Sequence, residues 1–318
     1  MKKRLIAAAV AATVTLSMGV AMASPIQFDG DITTQYRWSE DSKALNLKSE
    51  GNITTFKLNA TAALNEKTDF YARLAGQVLT ADEVGADFRT DLYGSSILSL
   101  DRFGFVLKGD NATYKIGRQG ANVGATALLY STEGKIGNYS GTIDGVTANV
   151  KSGVTDINVL AGKVSTHDTD GIDAKLYSLH AGYQPTKNLT VGATFAKADY
   201  DVVSTNHWAV DASYQLGKAN VFGEYTKSDV DLENAAFAVG TSYAFDNKNS
   251  LAVIYSKVEA FGDIAAMTDF DPQGKGIYYS YNHKISNDTN LNIFYKDMEG
   301  VYTGDKYNSF RTTVNYKF

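Results

Sequence analysis

Apolar and polar residues alternate with a period of two through most of this sequence, in runs longer than an ordinary soluble strand. Ile26, Phe28, Ile32, Thr34, Tyr36 and Trp38 share one parity, and Gln27, Asp29, Asp31, Gln35 and Arg37 the other. Successive side chains of a strand point to opposite faces, so this spacing predicts a two-faced strand of about 13 residues, where five or six is usual. The pattern returns in Phe56, Leu58, Ala60, Ala62 and Leu64 against Thr55, Lys57, Asn59, Thr61 and Asn65, and in Phe70, Ala72, Leu74 and Val78 against Tyr71, Arg73 and Gln77. It recurs as far as Phe310, Val314, Tyr316 and Phe318, set against Arg311, Asn315 and Lys317. The apolar sets often begin or end in Tyr, Phe or Trp, as aromatic girdles at two membrane interfaces require.

The connections alternate as well. Short polar turns stand at 65–68, 109–112, 151–154, 184–188, 217–218, 246–249 and 286–289, and longer Gly/Asp/Ser-rich links at 39–50, 81–96, 119–141, 165–171, 198–204, 228–233, 260–274 and 299–305. Seven short turns and eight long loops join sixteen strands. In a bilayer every backbone N–H and C=O must be paired within the protein, and a closed barrel with short periplasmic turns and long extracellular loops does this. The expected fold is therefore all-β: a transmembrane antiparallel β-barrel of about 16 strands. A secreted β-sandwich or β-solenoid is the alternative, since a sandwich also buries one strand face. Strand length, the polar second face and the loop asymmetry favour the barrel.

Composition agrees. Pro is nearly absent (3 residues) while Gly (28), Tyr (20) and Phe (15) are common, as suits continuous sheet. With no Cys, neither disulfides nor thiolate chemistry is available. Lys2, Lys3 and Arg4, the apolar run Leu5 to Val20 and Ala21-Met22-Ala23 read as a signal peptide cleaved after Ala23, which leaves a barrel domain at 24–318. Losing three basic residues and no acids takes the formal net charge from −5 to −8, which argues against nucleic acid as a partner. No second apolar run is long enough for a membrane helix.

The sequence resembles the Gram-negative general porins, sixteen-stranded trimeric channels of the outer membrane. The resemblance is sharpest in "RFGFVLKGDNATYKIGRQ", Arg102 to Gln119, a strand, a Gly-centred turn and a strand ending in Gly-Arg-Gln. In that family the long third loop leaves this point and folds into the lumen. Phe318, preceded by Tyr316, Val314 and Phe310, matches the terminal aromatic signal read by the barrel assembly machinery, with Thr312 a departure. The third-loop motif Pro-Glu-Phe-Gly-Gly of the enterobacterial members is absent, and the loop here carries one acid, Glu133, near Lys135. The resemblance implies a homotrimer among outer-membrane lipid and lipopolysaccharide, with no cofactor, passing ions and small hydrophilic solutes.

Lumen charge is expected from Arg37, Lys57, Arg73, Arg102, Lys115 and Arg118, opposed to Glu133; each is equally readable as solvated lumen surface. Arg118 shares the parity of Tyr114 and Ile116, so facing inward requires a bulge at Gly117. Phe318 and Tyr316 are the expected assembly signal. The four His residues lack metal-site spacing, and "HDTDGID", His167 to Asp173, has Leu179 where a calcium loop closes with Glu. No nucleophile elbow or His-Glu-x-x-His motif supports an enzyme. The expected function is passive diffusion. The alternatives are a sugar-specific porin, for which Tyr71, Phe222 and Tyr278 are too dispersed to argue a lumenal aromatic track, and, further off, an outer-membrane barrel enzyme or adhesin.

Overall fold

A computed structural model describes residues 25–41, 48–81, 84–166, 174–201 and 203–318. The leader expected at 1–23 and the segment His167 to Asp173 lie outside the described residues. The strands are β1 (Gln27–Asp41), β2 (Lys48–Asn65), β3 (Thr68–Leu79), β4 (Ser96–Lys108), β5 (Ala112–Gln119), β6 (Asn122–Val123), β7 (Tyr130–Ser131), β8 (Ile143–Ser152), β9 (Thr155–Val164) and β10 (Ala174–Thr186). They continue with β11 (Leu189–Tyr200), β12 (Ser204–Leu216), β13 (Ala219–Ser228), β14 (Ala235–Ala244), β15 (Asn249–Val258), β16 (Gly274–Lys284), β17 (Thr289–Gly300) and β18 (Lys306–Lys317), and one helical turn, α1 (Thr90–Tyr93), precedes β4. All but β6 and β7 join one closed antiparallel barrel of sixteen strands in sequence order; β6 and β7 pair separately inside the third loop. The expected architecture and connection pattern are present.

The outward parity is the apolar one. Phe28, Ile32, Tyr177, Leu179, Trp208, Val210, Tyr279 and Val314 are all exposed. The inward parity departs from the expected uniform polarity at the ends of the strands that carry the long loops. There Ile53, Ala75, Leu79 and Ile97 face inward and pack with Val84, Phe88 and Ile136 of the second and third loops. On the far wall Ile143, Leu160, Leu176, Ala196 and Ala209 pack with Leu129, Tyr130 and Ile264. These inward apolar side chains are a core made between barrel wall and infolded loops, which removes them from water as a soluble core does.

Barrel closure rests on the β1–β18 ladder, in register from Asp31–Lys317 to Asp41–Tyr307. It is extended by Gly30 and Phe318, which exchange both backbone hydrogen bonds at 3.0 Å. The Phe318 ring stacks on Phe56 with centroids 6.2 Å apart and lies 6.4 Å from Tyr316. Glycine is required at position 30 because a Cβ there meets the Lys57 carbonyl oxygen at 2.2 Å and the Phe318 ring at 2.8 Å. Gly30→Ala is expected to push the ring off this seat and destabilise the barrel by about 1–3 kcal/mol. The measurement is urea unfolding in detergent, where the midpoint falls and the slope is unchanged.

Candidate functional site

The third loop, residues 120–142, crosses the lumen. It leaves β5 and makes the β6–β7 ribbon, in which Asn122 pairs with Ser131 and Val123 with Tyr130. Its tip reaches the far wall, where the Thr126 N–H and hydroxyl donate to Glu224 Oε2 on β13 at 2.7 and 2.6 Å. Leu128 is fully buried against Ala236, Ala238 and Val258 of β14 and β15. Gly124, at φ +91°, lets the tip approach so closely that a Cβ there meets Glu224 Oε1 at 2.1 Å. The return limb is tied to the second loop and the near wall: Ile136 N–H donates to the Asp87 carbonyl of that loop at 2.8 Å, and Gly137 N–H to Asp101 Oδ2 on β4 at 2.9 Å.

A second loop braces it from above. Residues 259–273 fold inward, Ser131 N–H donates to the Met267 carbonyl at 2.7 Å, and Ile264 N–H donates to the Leu129 carbonyl at 2.8 Å. The turn at Asp263 places Ala265 and Ala266 in the left-handed region, at φ 59° and 55°. The Ala266 N–H donates to the Asp263 carboxylate, which is 4% exposed and has one oxygen, Oδ2, without a partner. Burial pushes that carboxyl up to about 7.

Within this frame the expected lumen charges separate into groups. Arg73 makes a bidentate pair with Asp101 at 2.8 and 2.7 Å and donates to the Lys135 carbonyl at 2.9 Å. Arg102 pairs with Glu133 at 2.6 Å and donates to its carbonyl at 2.6 Å. Both arginines are buried, so they clamp the return limb to β3 and β4. They come together because β4 bulges: Arg73 faces Arg102 while Leu74 faces Leu100, which leaves Asp101 as the extra residue. The slip turns Asp101 and Arg102 inward in succession.

No such slip occurs at Gly117. The β4–β5 and β5–β8 registers run unbroken through Gly104–Gly117 and Gly117–Gly145. Arg118 therefore keeps the parity of Tyr114 and Ile116 and lies beside Phe103, its guanidinium carbon 5.9 Å from that ring centroid. It makes a bidentate pair with Asp144 at 2.7 and 2.6 Å and donates to Asn138. The expected inward turn of Arg118 is thus replaced by an ion pair on the outer parity, because the extra residue is spent at Asp101 instead.

Lys57 and Arg37 face inward from β2 and β1, and Lys115 sits 4.5 Å over the Tyr71 ring. The Arg37 guanidinium is fixed by Gln35 Oε1 at 3.1 and 2.8 Å and by the Val84 carbonyl at 2.6 Å. Three further groups stand outside the expected constriction charges. Lys296 on β17 pairs with Asp271 at 2.6 Å, and Arg311 on β18 stands directly opposite Arg37. Glu224 holds the loop tip. The alternation of β18 does mark Arg311 as inward; the partners of Lys296 and Glu224 come from loop paths that periodicity does not carry.

A closed sixteen-stranded wall enclosing a loop-narrowed aqueous lumen is the geometry of a diffusion channel. A family model described as Gram-negative porin matches residues 7–301. The chain belongs to the Gram-negative porin family. No curated protein matches the sequence. Its fold is similar to that of the outer-membrane protein OmpT of Vibrio cholerae, solved in a trimer form, with TM-score 0.60 and 13% identity over 92% of this chain and 99% of that one. A triple mutant of the Rhodopseudomonas blastica porin is similar at TM-score 0.61 and 11% identity over 92% of this chain and 100% of that one. The porin is an outer-membrane channel for passive diffusion.

Its constriction is held by bonds that can be tested singly. Glu224→Ala removes two charge-assisted hydrogen bonds from the loop tip, each worth about 1.5–3 kcal/mol. Single-channel records are expected to show added open-state flicker and a higher mean current. Asp263 gives a pH dependence of known sign. Its ordinary value is 3.8 and the docked loop raises it to about 7, so docking favours the neutral acid. That stabilisation is full below the ordinary value and is lost as pH rises through about 7. Hydrogen-exchange protection of the Ile264 and Ser131 amides is expected to be higher at acid than at alkaline pH, and to become pH-independent in Asp263→Asn.

Proposed function

We propose that this porin is a homotrimeric diffusion channel for small hydrophilic solutes whose constriction mildly prefers anions despite an acidic chain. The observation that carries the preference is which charges are left over. Arg73, Arg102 and Lys296 are neutralised by Asp101, Glu133 and Asp271. Among the described residues no carboxylate lies within ion-pair distance of Arg37, Arg311, Lys57 or Lys115. On the opposite wall Glu224 is occupied by Thr126, and Asp211 lies 3.7 Å from His180. The field across the lumen therefore has a fixed positive end, and such a field sets weak ion preference.

Trimer formation is supported by the outer wall of β2–β4. Its outward residues include Phe56, Leu74, Leu98, Leu100 and Phe103 but no Tyr or Trp, whereas β10–β17 present Tyr177, Trp208, Tyr225, Tyr255 and Tyr295. Interfacial Tyr and Trp belong where lipid headgroups meet the wall, and Leu98, at 68% exposure, suits a protein neighbour. The Arg118–Asp144 pair stands on the same side. The remaining wall faces outer-membrane lipid and lipopolysaccharide. The leader at 1–23 directs export and is cleaved after Ala23, and Phe318 with Tyr316 is the mark read by the assembly machinery, consistent with the exposed seat they occupy. The chemistry is transport without catalysis.

In planar bilayers under a KCl gradient the protein is expected to insert with current steps in threes and a reversal potential of anion-selective sign. Replacing both Arg37 and Arg311 with Gln is expected to move that potential toward cation selectivity. A cation-selective wild type is the result that rejects the preference.

A further inference from the structure

Arg37 and Arg311 are direct cross-strand partners on the inward face of the closing seam. Like charges directly opposite on a sheet are destabilising unless something between them relieves the repulsion. Here the fields of Asp87 and Asp271 reach Arg311, but neither is within ion-pair distance. Asp271 is already engaged by Lys296 at 2.6 Å and by the Tyr278 hydroxyl at 3.0 Å. The Arg311 guanidinium donates no hydrogen bond among the described residues, and its Nε is buried without a partner. Arg37, by contrast, is held rigidly by Gln35 and the Val84 carbonyl. The pair is thus one fixed fork beside one whose Nε lacks a partner.

What lies beside it narrows the class of anion. Phe294 of β17 is the cross-strand neighbour of Arg311, whose guanidinium carbon is 5.0 Å from the ring centroid. Phe294 continues to Tyr278 of β16 at 6.0 Å, and Tyr278 to Phe270 of the infolded loop at 5.7 Å. Three rings in contact therefore run from Arg311 along the wall to the infolded loop; Tyr278 is buried, and Phe294 is the wall ring left partly open. A guanidinium beside an aromatic run offers both a carboxylate fork and a flat stacking surface. The fields of Asp87 and Asp271 disfavour a second negative charge. Taking the channel function as given, we propose that Arg37, Arg311 and Phe294 form a wall subsite that selects ring-bearing monocarboxylates among the anions passing the constriction.

The test is block of KCl current through the full-length porin in planar bilayers, with sodium benzoate and sodium acetate added in parallel. Benzoate is expected to block saturably at a concentration roughly 3- to 10-fold below that for acetate, the span of one aromatic contact. Phe294→Leu stays apolar and removes the ring, so the two carboxylates should become equivalent while KCl conductance is kept. Arg311→Gln should weaken both. Absence of KCl current in the wild type would mean that the channel reading itself fails. Normal KCl current with equal block by benzoate and acetate, or a benzoate preference that survives Phe294→Leu, overturns the subsite alone. The KCl step of each variant reports that its barrel has folded.

Discussion

A sheet edge cannot be left open in hydrocarbon, because each unpaired N–H and C=O there costs several kcal/mol and has no water to turn to. The paired bonds between Gly30 and Phe318 and the ladder above them meet that requirement, and the rest of the molecule follows from it. Closure fixes which parity faces lipid and which faces water for every strand at once. It also brings residues near the two ends of the chain into one wall, which is how Arg37 and Arg311 come to stand side by side although 274 positions separate their numbers.

Inside that wall the charges divide by their degree of burial. Arg73 and Arg102 are buried and paired with acids, so they act as fasteners for the third loop and contribute little free charge to the lumen. In the Arg73–Asp101 pair, buried on both sides, removing one partner strands the other in the wall. Arg37, Arg311 and Lys115 are less enclosed and lack acidic partners, so they remain available to passing solutes. One barrel thus uses the same residue type for construction and for selectivity, and the local supply of carboxylates decides between them.

Most of the barrel was legible from periodicity, since a strand between lipid and water has the cleanest alternation a chain can show. The sixteen strands, the short turns and the long loops came from that signal. Alternation is broken between Leu98 and Gly153 for physical reasons. The bulge at Asp101 shifts the phase of β4 midway, β5 is only 8 residues long, and a crossing loop of irregular backbone follows. The misplaced bulge at Gly117 is a consequence: alternation shows that a phase change is needed, while its position depends on which side chains the loop can engage. Inward apolar residues such as Ile53 and Leu176 and the inward path of residues 259–273 were equally hidden, because they answer to partners distant in sequence.

A thin-walled tube one strand thick has little resistance to flattening, since its hydrogen bonds run around the circumference and bend easily. The third loop is anchored at one end to Arg73 and Arg102 on β3 and β4 and at the other to Glu224 on β13, across the full width of the bore. It therefore works as a strut as well as an obstruction. The element that limits what can pass also keeps the cross-section round, so the aperture cannot be widened much by evolution without weakening the cylinder that contains it.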